Sequence, residues 1–148
     1  MRAFWMIAAT LALAGVAHAH AYLVNSSPVE NALLRRPPGE VRLSFTEAVE
    51  LRFSQFAVYA LEVPNERWRE AGWLQEQAKA LAEKALSAGG VKPAGRVDAG
   101  LKTQARTAEN VVIALRPGLG SGVYVVLWRV LSVDSHTTQG FFVFVVEP

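Results

Sequence analysis

A chain of 148 residues with 15 Lys and Arg, 13 Asp and Glu and three His carries a formal charge of only +2, so no charge excess points to nucleic acid or to a membrane surface. Cysteine is absent, and both methionines, Met1 and Met6, stand at the very start. This excludes disulfides, thiolate catalysis and thiolate metal sites, and it leaves the rest of the chain without any sulfur ligand.

The first segment reads as a targeting signal. Arg2 supplies a positive charge and "AFWMIAATLALAGVA" is an uncharged apolar run too short to span a bilayer comfortably. Ala17-His18-Ala19 offers small residues at the third and first positions before a cut. Residues 1–19 are therefore expected to leave as a signal peptide. A single exported domain, 20–148, would begin at His20, whose α-amine would be free beside its imidazole. The alternatives are an uncleaved anchor or a cut after Ala21.

Short apolar runs separated by turn residues follow. "HAYLVNSSP" ends at Asn25-Ser26-Ser27-Pro28 and "RRPPGE" makes a second break. In "VRLSFTEAVE", Val41, Leu43 and Phe45 alternate with Arg42, Ser44 and Thr46, the period of a half-buried strand. "RFSQFAVYALEV" repeats the pattern through Phe53, Phe56, Val58 and Ala60 with one slip. Between residues 65 and 88 the composition changes to Ala, Glu, Lys, Leu and Gln, with Leu74, Ala78, Leu81 and Ala85 at helical spacing. A helical insertion at about 65–90 is expected, capped by Asn65 and stopped by Gly89-Gly90, with Trp68 and Trp73 packing it onto the strands. "ENVVIALRPGLGSGVYVVLWRVLSV" holds two further strands around a Pro-Gly turn, and "QGFFVFVVEP" closes the chain. The sum is an all-β, antiparallel β-sandwich with an inserted helix.

Two histidines lie beyond the signal, His20 and His136. In "VLSVDSHTTQG", Asp134 and His136 are one residue apart, so on an extended strand both point to the same side. If the first strand lies near this segment, the amine and imidazole of His20 join them. Three nitrogens and one carboxylate oxygen in a tetragonal layout suit Cu(II). The alternative is that Asp134 only orients His136 through a loop hydrogen bond.

On "HAYLVNSSPVENALL", "VRLSFTEAVE" and "GVYVVLWRVLSVDSHTTQGFFVFVV", the chain resembles the copper resistance protein C (CopC) family. The match covers both ends of the exported domain and leaves about residues 63–109 unexplained. The resemblance implies an immunoglobulin-like or cupredoxin-like Greek-key sandwich in the periplasm. It also implies Cu(II) held by His20, Asp134 and His136, with Glu47 of "SFTEAVE" as a weak or hydrogen-bonding ligand; Glu50 is close to it. Delivery to an inner-membrane transporter of CopD type is implied as well. The family loop "DGHPVSG" reads "DSHTTQG" here, keeping Asp, His and the last Gly while losing a Gly and a Pro. Some members carry a Met-rich Cu(I) site, for which this chain has no residues beyond the signal.

The expected function is therefore a monomeric, non-enzymatic carrier or buffer of Cu(II). An N-terminal histidine chelating copper also resembles the brace of lytic polysaccharide monooxygenases, which makes a copper enzyme the second reading. A sandwich that binds a partner through its inserted helix, with no metal, is the third.

Overall fold

The computed structural model describes residues 20–87, 91 and 94–148; the expected signal 1–19 and the helix stop at Gly89-Gly90 lie outside them. Among the described residues there are eight strands and one α-helix: β1 (Leu23–Ser27), β2 (Leu33–Leu34), β3 (Glu40–Glu50), β4 (Gln55–Leu61), α1 (Ala71–Ser87), β5 (Asp98–Leu101), β6 (Thr107–Leu115), β7 (Gly122–Leu131) and β8 (Thr137–Val146). They make two four-stranded sheets, ordered β1-β3-β6-β5 and β2-β8-β7-β4. Every strand pair is antiparallel except the short β2 against β8, which is parallel.

The alternation in β3 places Val41, Leu43 and Phe45 in the space between the sheets, where they meet Phe56 and Val58 of β4 and Trp128 of β7. Phe45 packs edge-on against both Phe56 and Trp128 at 6.3 Å between ring centroids. The slip after β3 has a local cause: residues Leu51–Phe53 form a 3-10 turn before β4 starts. Leu51 is buried by it, whereas Phe53 is turned out to solvent.

β4 also departs from the expected alternation. Phe56, Ala57, Val58 and Tyr59 are all buried, and Ala60 is exposed. The reason is α1, which covers the outer face of the second sheet and turns β4, β7 and β8 into strands with apolar neighbours on both sides. Leu74 and Ala78 lie on Val123, Val125, Val143 and Val145, while Ala82 and Leu86 lie on Ala57, Tyr59 and Leu127. The buried stripe is therefore Leu74, Ala78, Ala82 and Leu86, with Leu81 and Ala85 half-buried at its side.

The helix starts later than expected. Asn65 begins a separate 3-10 turn, Asn65–Arg67, and α1 starts at Ala71, with the Leu74 amide donating to the Glu70 carbonyl at 2.9 Å. Trp68 donates from Nε1 to the Val63 carbonyl at 3.2 Å and Arg67 stacks 3.9 Å above the Trp73 ring. Both tryptophans pack against the cluster under α1. These contacts fix the turn that carries the chain from the edge of β4 onto the sheet.

At the β4 and β5 edges the two sheets are tied together. The Val97 amide donates to the Val58 carbonyl at 2.8 Å. Asp98, 3 % exposed, accepts from Arg96 Nε at 2.9 Å and from its terminal nitrogen at 2.6 Å. The opposite edge holds residues 20–22, next to the β7–β8 connection.

Candidate metal centre

Residues 20–22 approach the sandwich before β1 begins. Ala21 is 1 % exposed, which anchors the segment by its apolar methyl. The Thr46 hydroxyl of β3 donates to the His20 carbonyl at 2.9 Å and accepts from the Tyr22 amide at 3.0 Å. The Thr46 amide donates to the Tyr22 carbonyl at 2.9 Å, and the Thr138 hydroxyl of β8 donates to the Ala21 carbonyl at 2.6 Å. His20 is thereby held half-buried at one end of the sandwich.

The second part of the site is the β7–β8 connection. Asp134 and His136 do not share an extended strand, contrary to expectation: β7 ends at Leu131, β8 begins at Thr137, and residues between them form a turn. Ser135 stands at φ 73° in this turn, and its amide donates to the Ser132 carbonyl at 2.9 Å. The turn still brings the two side chains together, with His136 Nδ1 3.1 Å from Asp134 Oδ1. The His136 amide lies 3.3 Å from the same oxygen.

Ser132 organises this turn. It is 1 % exposed; its hydroxyl donates to Asp134 Oδ1 and lies 3.0 Å from the His136 carbonyl and 3.2 Å from the His136 amide. The Ser132 hydroxyl, and then His136 beside it, hold the Asp134 carboxyl below the ordinary carboxylate value. Asp134 thus stays an anion facing solvent. Sequence reasoning missed Ser132, although the spacing Ser-x-Asp-x-His was there to be read.

The two parts meet. The imidazoles of His20 and His136, 116 positions apart in the sequence, lie with ring centroids 4.4 Å apart at 51°. β3 runs alongside: Val49 pairs with Ser132 and the Val133 amide donates to the Ala48 carbonyl at 3.2 Å. Glu47 is therefore in the neighbouring stretch of strand, and its Oε1 is buried with no hydrogen-bond partner among the described residues. Such an oxygen is unfavourable unless something donates to it. Among the described residues no three His, Asp or Glu side chains converge closely enough to hold a metal ion by themselves. Side chains bring two imidazoles together and a carboxylate beside one of them; Glu47 is not brought into that group.

Comparison with known proteins places the chain in a family. The CopC domain matches residues 23–91 and 83–147, two stretches that overlap at 83–91. The chain is 31% identical over 142 residues to Copper resistance protein C of Xanthomonas campestris pv. juglandis, covering 96% of this chain and 91% of that one. It is 30% identical over 129 residues to Protein YobA of Escherichia coli K12, covering 87% and 80%. The crystal structure of CopC from Methylosinus trichosporium OB3b superposes with a TM-score of 0.58 at 26% identity, over 87% of this chain and 95% of that one. PcoC from Escherichia coli, described as a methionine-rich copper resistance protein, shares the fold with a TM-score of 0.58 at 23% identity, over 87% of this chain and all of that one. The family match spans most of the chain and the sandwich is the family's own: the chain belongs to the CopC family.

Proposed function

We propose that this protein, cut before His20, works in the periplasm as a carrier that captures Cu(II) and buffers it or passes it on. The observation that supports this best is the contact between the His20 and His136 rings in a chain of the CopC family. His20 contributes its α-amine and imidazole, His136 its imidazole and Asp134 a carboxylate oxygen. The third nitrogen is a main-chain amine, so a grouping of side chains alone does not contain the complete donor set. Before cleavage that nitrogen belongs to the peptide bond with Ala19 and is no donor; export and copper binding are coupled in this way. Glu47 offers its buried oxygen to an N–H of the assembled site.

Borderline nitrogen and hard oxygen donors select Cu(II), while Cu(I) prefers sulfur. PcoC is methionine rich; here Met occurs only at positions 1 and 6. A blue-copper redox role would need a thiolate, and the chain has no Cys. A carboxylate filling one copper position leaves less room for oxygen than a monooxygenase needs, which favours a carrier over an enzyme. The family resemblance supplies an inner-membrane transporter of CopD type as the recipient.

The test is a Cu(II) titration of the chain beginning at His20, beside His136→Ala and Glu50→Gln. Loss of an outer partner of a metal typically weakens affinity about 10- to 100-fold; removal of the His136 ligand should exceed that range, and Glu50→Gln should change nothing. Protons compete for the nitrogens, so the wild-type affinity should fall as pH falls. Wild-type affinity in His136→Ala would sink the proposal.

A further inference from the structure

We propose that Thr46 and Thr138 are positioning residues that latch the His20 end of the chain and so set the spacing of the two imidazoles; this rests on the copper reading above. A chain terminus is ordered only where something ties it down, and a ligand carried on the first residue is useful only if that residue has one position. The tie here is made of two hydroxyls, one from each sheet. Thr46 of β3 grips residues on both sides of Ala21, donating to the His20 carbonyl at 2.9 Å and accepting from the Tyr22 amide at 3.0 Å. Thr138 of β8 donates to the Ala21 carbonyl between them at 2.6 Å.

The three bonds leave Ala21 buried and bridge the edge of the sandwich. Thr138 also stands just past His136 in the chain, so its bond to Ala21 joins the segment that carries one imidazole to the strand that begins after the other. Without that bond the hydrogen bonds to Thr46 of β3 and the buried Ala21 methyl still hold the His20 segment, but its hydrogen bond to β8 is gone. The rigid link between the two rings is then lost, and a metal must order the segment as it binds, which lowers affinity. Neither threonine needs to touch the metal.

Thr138→Val keeps the shape and β-branching of the side chain and removes only the hydroxyl, and Thr138→Ser restores a hydroxyl. Two readouts are taken on the chain beginning at His20. In the metal-free protein, amide hydrogen exchange at Tyr22 should speed up in Thr138→Val while the β7 amides stay protected. With Cu(II), the same variant should bind about tenfold more weakly, the lower end of what outer partners contribute, with altered EPR parameters. Thr138→Ser should return both readouts toward wild type, and Thr46→Val should behave as Thr138→Val does.

Unchanged exchange, affinity and EPR in Thr138→Val would overturn the latch while leaving the copper reading intact. An equal loss in Thr138→Ser would also overturn it, because the hydroxyl would then not be the cause. Absence of Cu(II) binding in the wild type would remove the copper reading, and with it the role given to the latch.

Discussion

Ser135 adopts φ 73° between the two site residues Asp134 and His136, a conformation that crowds a Cβ and that glycine enters freely. The resemblance to the "DGHPVSG" loop had put the turn geometry in question, because a Gly is lost there. The turn keeps its left-handed residue nonetheless, held by the Ser135 amide on the Ser132 carbonyl. Ser135→Gly should therefore raise stability by up to about 1 kcal/mol, read as a higher urea midpoint with an unchanged slope; a lower midpoint would show that the serine is not strained. Asp134 and His136 were legible in the sequence because their partnership is local. Thr46 and Thr138 were not, since their hydroxyls reach carbonyls 26 and 117 positions away, and no spacing rule links such distant residues. The companionship of His20 and His136 could be argued in advance only through the expected signal cleavage and the family resemblance.

At the scale of elements, α1 explains why the second sheet reads as continuous apolar runs while β3 alternates. β7 buries Tyr124, Val126 and Trp128 toward the first sheet and Val123, Val125 and Leu127 toward the helix. The run "GVYVVLWRVL" already carried that information, since a strand with one wet face has no use for apolar residues on both. What it did not carry was the identity of the cover, and the slip in β4 concealed it further. The helix was legible from composition, but its start was not. The turn at Asn65 is set by Trp68 and Arg67 docking onto residues around it, which are tertiary contacts that propensity does not include. Leu74, 2 % exposed at the start of the stripe, is the residue on which the docking can be tested. Leu74→Ala should destabilise by about 2–5 kcal/mol through the cavity it leaves, measured by denaturant unfolding, while Cu(II) affinity of the folded fraction stays as in wild type. A cost below about 0.5 kcal/mol would mean that the helix is only loosely seated.

Across the described residues, the division of labour is between a sandwich core that holds the fold together and one end of it that brings His20 beside His136 from distant parts of the chain. β1 and β3 hold the segment that carries His20, β7 and β8 carry Asp134 and His136, and Glu47 lies on the neighbouring stretch of β3 outside that group. The helix lies on the outer face of the second sheet, and its buried stripe is engaged there. The small net charge gives no long-range field to gather cations, so in the proposed carrier capture would rest on local donors.

Whether the amine of His20 is a ligand is decided by Cu(II) binding, followed by EPR and competition titration, to the chain beginning at His20 and to the same chain with one alanine added before it. The chain beginning at His20 should bind one Cu(II) tightly, with a nitrogen-rich EPR spectrum. The extended chain should bind at least about tenfold more weakly with a changed spectrum, since its His20 nitrogen is locked in a peptide bond. Equal affinity and identical spectra in the two proteins would show that the His20 amine is not a ligand.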